Sequence, residues 1–144
     1  MFVLDSRLQQ DSLVLGDFPL PRLLLSKDAN YPWFILVPRR ADVSELFQLD
    51  LADQQQLWKV TTLLAEAVKG EFLADKMNVA TLGNVVSQLH MHVVVRHRGE
   101  AAWPAPVWGN VAALHSAPAQ AASTAASSEM SVSTISSRGL PSCC

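Results

Sequence analysis

The chain has 144 residues, 49% of them apolar and 17% charged, with a formal net charge of -2. That length accommodates one core and excludes two full domains, and the charge excludes polyanion binding by bulk attraction, so an anionic ligand must be held by a few placed groups. No run approaches about 18 uninterrupted apolar residues, and Met1 to Asp5 lacks the basic start and apolar stretch of a signal peptide; the expectation is a soluble cytoplasmic protein with neither membrane nor nucleic-acid partners.

In chain order, Arg22 to Leu25 and Pro32 to Pro38 are apolar runs separated by the polar stretch Ser26 to Asn30, which predicts a hairpin. Asp50 is placed to cap a helix whose apolar positions Leu57, Val60, Leu64, Val68 and Phe72 recur at three and four. A second hairpin is expected from Met77 to Leu82 and Gln88 to His97, with Gly83-Asn84 starting the connection. This order predicts an α+β domain, an antiparallel sheet backed on one face by one long helix.

Residues 1–110 hold 22 of the 24 acidic and basic residues, and the remaining 34 positions include eight Ala, nine Ser and two Thr. Large apolar side chains to offset the entropy of ordering are scarce there, so the expected organisation is a domain over 1–110 and a disordered tail over 111–144, with a fraying helix at most in Ala119 to Ala126. The only cysteines, Cys143 and Cys144, are adjacent and cannot staple a distant loop.

Side chains alternate along a strand, so Gln88, His90, His92, Val94 and Arg96 are expected on one face, and Leu89, Met91, Val93, Val95 and His97 on the other. The second set is apolar enough to pack on the helix. The first carries two imidazoles about 7 Å apart along the strand, on the side away from the core. Two histidines at that spacing are compatible with plain surface residues, with cooperating catalytic groups, or with a metal site completed by Glu100 or His97. The seven residues from Val93 to Gly99 separate Glu100 from His92 by more than a cupin-like signature allows, and His97 belongs to the opposite face, which weakens the metal case.

The stretch Gly83-Asn84-Val85-Val86-Ser87-Gln88-Leu89-His90-Met91-His92-Val93-Val94, followed by Trp103-Pro104, resembles the histidine triad (HIT) family, whose motif is His-φ-His-φ-His-φ-φ with φ apolar. Asp28 to Arg40, with Tyr-Pro-Trp-Phe-Ile-Leu-Val-Pro-Arg-Arg, is similar to the ribose-contacting strand pair of small bacterial HIT proteins. Together the likeness covers roughly residues 2–109. It implies a HIT-like fold, a nucleotide substrate, a homodimer, no metal and no cofactor. The implied activity is that of a nucleotide hydrolase or nucleotidyl transferase, acting on a phosphoramidate or phosphoanhydride through a covalent nucleotidyl-histidine.

By position in the motif, His90 is the implied nucleophile and His92 the implied contact to phosphate or leaving group. The first triad position is Gln88, and a fourth family histidine is replaced by Ala41. Gln88 can orient a neighbour by hydrogen bonding but supplies no ionisable proton, so a nucleotide-binding module with weakened catalysis is the alternative, alongside a metal-dependent enzyme using His90 and His92. Asn84 matches an amide that holds a phosphate oxygen, and Asp28 a position that touches ribose; each is equally at home as a turn residue. Arg39, Arg40 and Arg96 are expected to be solvated, and Trp33 and Trp103 to serve packing rather than base stacking.

Overall fold

The computed structural model describes residues 1–110, 112 and 114. The elements are α1 (Ser6–Asp11), β1 (Ser12–Asp17), β2 (Pro21–Ser26), β3 (Trp33–Pro38), a 3-10 turn (Leu46–Gln48), α2 (Leu51–Glu71), β4 (Lys76–Ala80) and β5 (Met91–Arg96). The strands form one antiparallel sheet in the order β1-β2-β3-β5-β4, so β3 and β5 are central. The fold is α+β, as the order of the elements predicts.

The apolar stripe of α2 makes the main core. Leu57, Val60, Leu64 and Val68 are fully buried against Leu23, Leu25, Phe34, Leu36, Met91, Val93 and Val95 from alternate positions of β2, β3 and β5. Asp50 caps the helix, its carboxylate accepting the Asp53 amide, which satisfies one of the donors a helix start leaves open. Thr61 is buried in the same stripe because its hydroxyl donates to the Leu57 carbonyl at 2.7 Å.

The opposite face of the sheet is also covered, which corrects the expectation of a face directed away from the core. Leu24, Ile35 and Val37 bury against Leu8, Phe2 and Leu4 of the amino-terminal segment. Val94 buries against Tyr31, Ala102 and Val107, the last two from the segment that follows β5. Coverage on both sides explains the nearly continuous apolar run of β3.

Arg96 is another correction: it is 1% exposed rather than solvated. Its guanidinium pairs with Glu100 through Nε, donates to Asn78 Oδ1 at 2.6 Å and to the Ala105 carbonyl at 2.7 Å, and lies 5.7 Å from the Tyr31 and Trp103 rings. One buried cation thereby ties the covering segment to β4 and β5. Contacts with the body extend past Asn110: the Ala112 carbonyl accepts from Asn30 Nδ2, and the Leu114 amide donates to Asp28. The cysteines, Ala119 to Ala126 and most of the expected tail lie outside the described residues.

Candidate active site

β5 begins at Met91, so Gln88 to His90 form an irregular lead-in rather than strand. Loop partners replace the sheet ladder there. The Leu89 amide donates to the Val43 carbonyl at 2.9 Å, and the Thr81 hydroxyl donates to the His90 carbonyl at 2.8 Å. This bend brings the His90 and His92 rings to 4.7 Å between centroids, edge to face, both at least nine-tenths buried.

Their hydrogen bonds fix opposite tautomers. His90 Nδ1 lies 2.6 Å from the Gln88 carbonyl, which can only accept; Nδ1 therefore carries the proton, and Nε2 of the neutral ring presents a lone pair. The Trp33 indole Nε1–H, which can only donate, points to His92 Nδ1 at 2.9 Å. His92 Nδ1 therefore has no proton, and its Nε2 is the donor. Burial, and then the neighbouring His90, hold the His92 imidazole down at about 3. Trp108 completes an aromatic box, edge-on to both His92 and Trp33 at 5.1 and 5.4 Å.

Both histidines open into a cavity of about 380 Å³, within the range of small-molecule sites. Apolar walls come from Leu8, Ile35 and Val86, and polar groups from Arg7, Asp11, Ser12, Ser26 and Asn84. Gly83, at φ +76°, makes the turn that presents Asn84. The Asn84 amide makes no hydrogen bond among the described residues and remains available to a ligand.

Two other candidate residues are placed elsewhere. The Gln88 side chain binds the amino-terminal backbone, its Oε1 accepting the Asp5 amide at 2.9 Å and its Nε2 donating to the Val3 carbonyl at 2.8 Å. It lines a separate recess with Asp42 and Ser44. Asp28 takes the Asn30 amide and side chain and the Leu114 amide, and it does not line the histidine cavity. Residues that sequence reasoning left out fill part of the gap: Ser26, two positions before Asp28, together with Arg7, Asp11 and Ser12 of the unpredicted α1-β1 unit. The one available signal was Asp5 before Ser6-Arg7-Leu8, a helix cap that the structure shows accepting the Arg7 amide.

Among the described residues no three His, Cys, Asp or Glu side chains converge. Glu100 is held by Arg96, and His97 Nε2 lies 3.1 Å from the Phe72 carbonyl.

A family model described as the HIT domain matches residues 7–99, and the chain belongs to the HIT family. Among solved structures, a histidine triad protein from Marinobacter aquaeolei is 41% identical, with TM-score 0.90 and coverage of 94% of this chain and 98% of that one. A histidine triad protein from Bradyrhizobium japonicum is also 41% identical, with TM-score 0.88 and coverage of 91% and 98%. A hypothetical histidine triad nucleotide-binding protein from Sulfolobus tokodaii shares the fold at 14% identity and TM-score 0.67, covering 86% of this chain and 85% of that one. No curated protein matches significantly. Among the described residues no helix is long and apolar enough to cross a membrane.

Proposed function

We propose that this HIT protein is a nucleotide hydrolase or nucleotidyl transferase in which His90 is the nucleophile. The observation that carries the reading is the 2.6 Å approach of His90 Nδ1 to the Gln88 carbonyl, which assigns the proton of the neutral ring to Nδ1 and the lone pair to Nε2. Nε2 attacks the α-phosphorus of a bound nucleotide. A bond from nitrogen to phosphorus forms, the bond to the leaving group breaks with its electron pair, and water then cleaves the nucleotidyl-imidazole to regenerate the ring.

His92 Nε2–H donates to a phosphoryl oxygen as charge develops on it, the Asn84 amide holds another, and the apolar wall of Leu8 and Ile35 receives the base. Gln88 contributes through its main-chain carbonyl. The reading carries the family expectations of a cytoplasmic homodimer and needs no cofactor. Rapid-quench intact mass with adenosine and guanosine phosphoanhydrides tests it: an adduct of one nucleotidyl group on the wild type, insensitive to chelator and lost in His90→Asn, is expected. Nucleotide binding with no adduct under any quench would reduce the protein to a binding module.

A further inference from the structure

We propose that Trp33 is a positioning residue that locks His92 as a neutral Nε2–H donor, and that the site consequently selects leaving groups able to depart without a proton, phosphoanhydrides rather than alkylamine phosphoramidates. The inference rests on the nucleotidyl-transfer reading of the cavity and narrows its substrate class.

An imidazole acts as a general acid when it is cationic, with a proton on each nitrogen, or when a neutral ring passes one proton out while gaining another. His92 can do neither. Its Nδ1 faces the indole N–H of Trp33 at 2.9 Å, so a second proton on that nitrogen would set donor against donor. Releasing the Nε2 proton from the neutral ring would leave an imidazolate buried inside a box of Trp33, Trp108 and His90, at the cost of an anion among aromatic rings. His92 is thus confined to hydrogen-bond donation, which stabilises charge on phosphoryl oxygens but delivers no proton.

Other groups facing the ring do not replace it. β4 offers Ala80 opposite His92, β3 offers Ile35 and Trp33, and the covering segment offers Trp108. The titratable groups sharing the cavity are His90, Arg7 and Asp11. His90 is committed to the attack, Arg7 donates to the Val85 carbonyl at 3.0 Å, and Asp11 is an exposed carboxylate. The first triad position, Gln88, has no ionisable proton and is turned to Val3 and Asp5.

The balance of the step then decides between substrates. When Nε2 of His90 bonds to phosphorus and a bridging oxygen leaves, the electron pair resides on a terminal phosphate that is a stable anion at neutral pH. In the second step water's oxygen bonds to phosphorus, the phosphorus–nitrogen bond returns its pair to Nε2, and one proton passes to solvent. A phosphoramidate of an alkylamine instead requires its nitrogen to gain a proton as the bond breaks, and the walls of this site hold none in position.

Two measurements test this. Nitrogen-15 spectra of the wild-type histidines should show His92 with a bare Nδ1 and protonated Nε2 throughout about pH 5 to 8, whereas Trp33→Phe, in which burial and His90 still keep the ring neutral, should spread the proton over Nδ1 and Nε2. In turnover, the wild type should prefer a dinucleoside polyphosphate over an alkylamine phosphoramidate of the same nucleoside by about a hundredfold or more in kcat/KM. Trp33→Phe should slow both substrates, because part of its His92 lacks the Nε2 proton, and should leave the ratio between them unchanged. A wild-type His92 that titrates within the range, or carries its proton on Nδ1, overturns the lock and leaves the nucleotidyl reading intact. Equal turnover of both substrates overturns the selectivity. Absence of turnover and adduct with every substrate overturns selectivity and nucleotidyl reading together, and the wild-type spectrum decides the lock even if Trp33→Phe fails to fold.

Discussion

His90 and His92 are the same side chain with opposite hydrogen-bond polarity, and two substitutions of one kind should therefore fail differently. His90→Asn removes the nitrogen proposed to attack, so on that proposal nucleotide affinity should persist while the covalent adduct disappears by intact mass. His92→Asn should still form the adduct, with turnover slowed by a barrier increase of about 2 to 4 kcal/mol if it acts as a lost oxyanion donor. His92 also sets a pH dependence of stability. Its imidazole is held at about 3 in the fold, below the unfolded value of about 6.5. Above that unfolded value both states are neutral; as pH falls, only the unfolded chain takes up the proton, so stability drops by about 1.4 kcal/mol per pH unit until about 3 is approached. Chemical denaturation at several pH values should show this slope, and His92→Asn should flatten it. His90, His92 and Asn84 were legible as candidates because they share one short motif. The partner that fixes His92 was not, since Trp33 precedes it by 59 residues and becomes a neighbour only through the pairing of β3 with β5.

The helix α2 shows how a local pattern survives folding, and where it stops. Its stripe at three- and four-residue spacing is legible because the same residues serve propensity and core. Its end departs from the usual glycine: Leu73 adopts φ +50° and is 85% exposed, a left-handed residue with little packing in return. Leu73→Gly should therefore raise stability by about 1 kcal/mol, read as a shift in denaturation midpoint without change in activity. The amino-terminal pair α1 and β1 escaped sequence reading because a six-residue helix has too few turns to display a stripe. Likewise the alternation from Gln88 to His97 suggested a strand starting at Gln88. The ladders of β5 with β3 and β4 end at Met91 and His92, so Gln88 to His90 lie beyond both, and the Leu89 amide and His90 carbonyl turn to Val43 and Thr81 instead.

On the scale of the molecule, the Arg96 to Glu100 pair holds the covering segment, and with it Trp108, over the sheet. Both charges are buried, with side-chain exposures of 1% and 11%. Glu100→Gln leaves the guanidinium without a counter-charge and should cost about 3 to 5 kcal/mol in stability, measured by denaturant unfolding; loss of less than about 1 kcal/mol would place the pair among ornamental ones. The far end of the chain should matter less. Truncation after Leu114 keeps the bonds to Asn30 and Asp28 and should leave stability within about 0.5 kcal/mol, whereas cutting after Asn110 removes them and should cost about 1 kcal/mol more.

Gln88 joins two ends of this design in one residue. Its side-chain amide grips Val3 and Asp5, while its main-chain carbonyl aims His90. A pull on the amino terminus is thus transmitted to the His90 ring through a single backbone unit. Bulky fusions or tethers ahead of Met1 would act as levers on the orientation of His90, and the placement of an affinity tag becomes a mechanical variable in any test of the proposed activity.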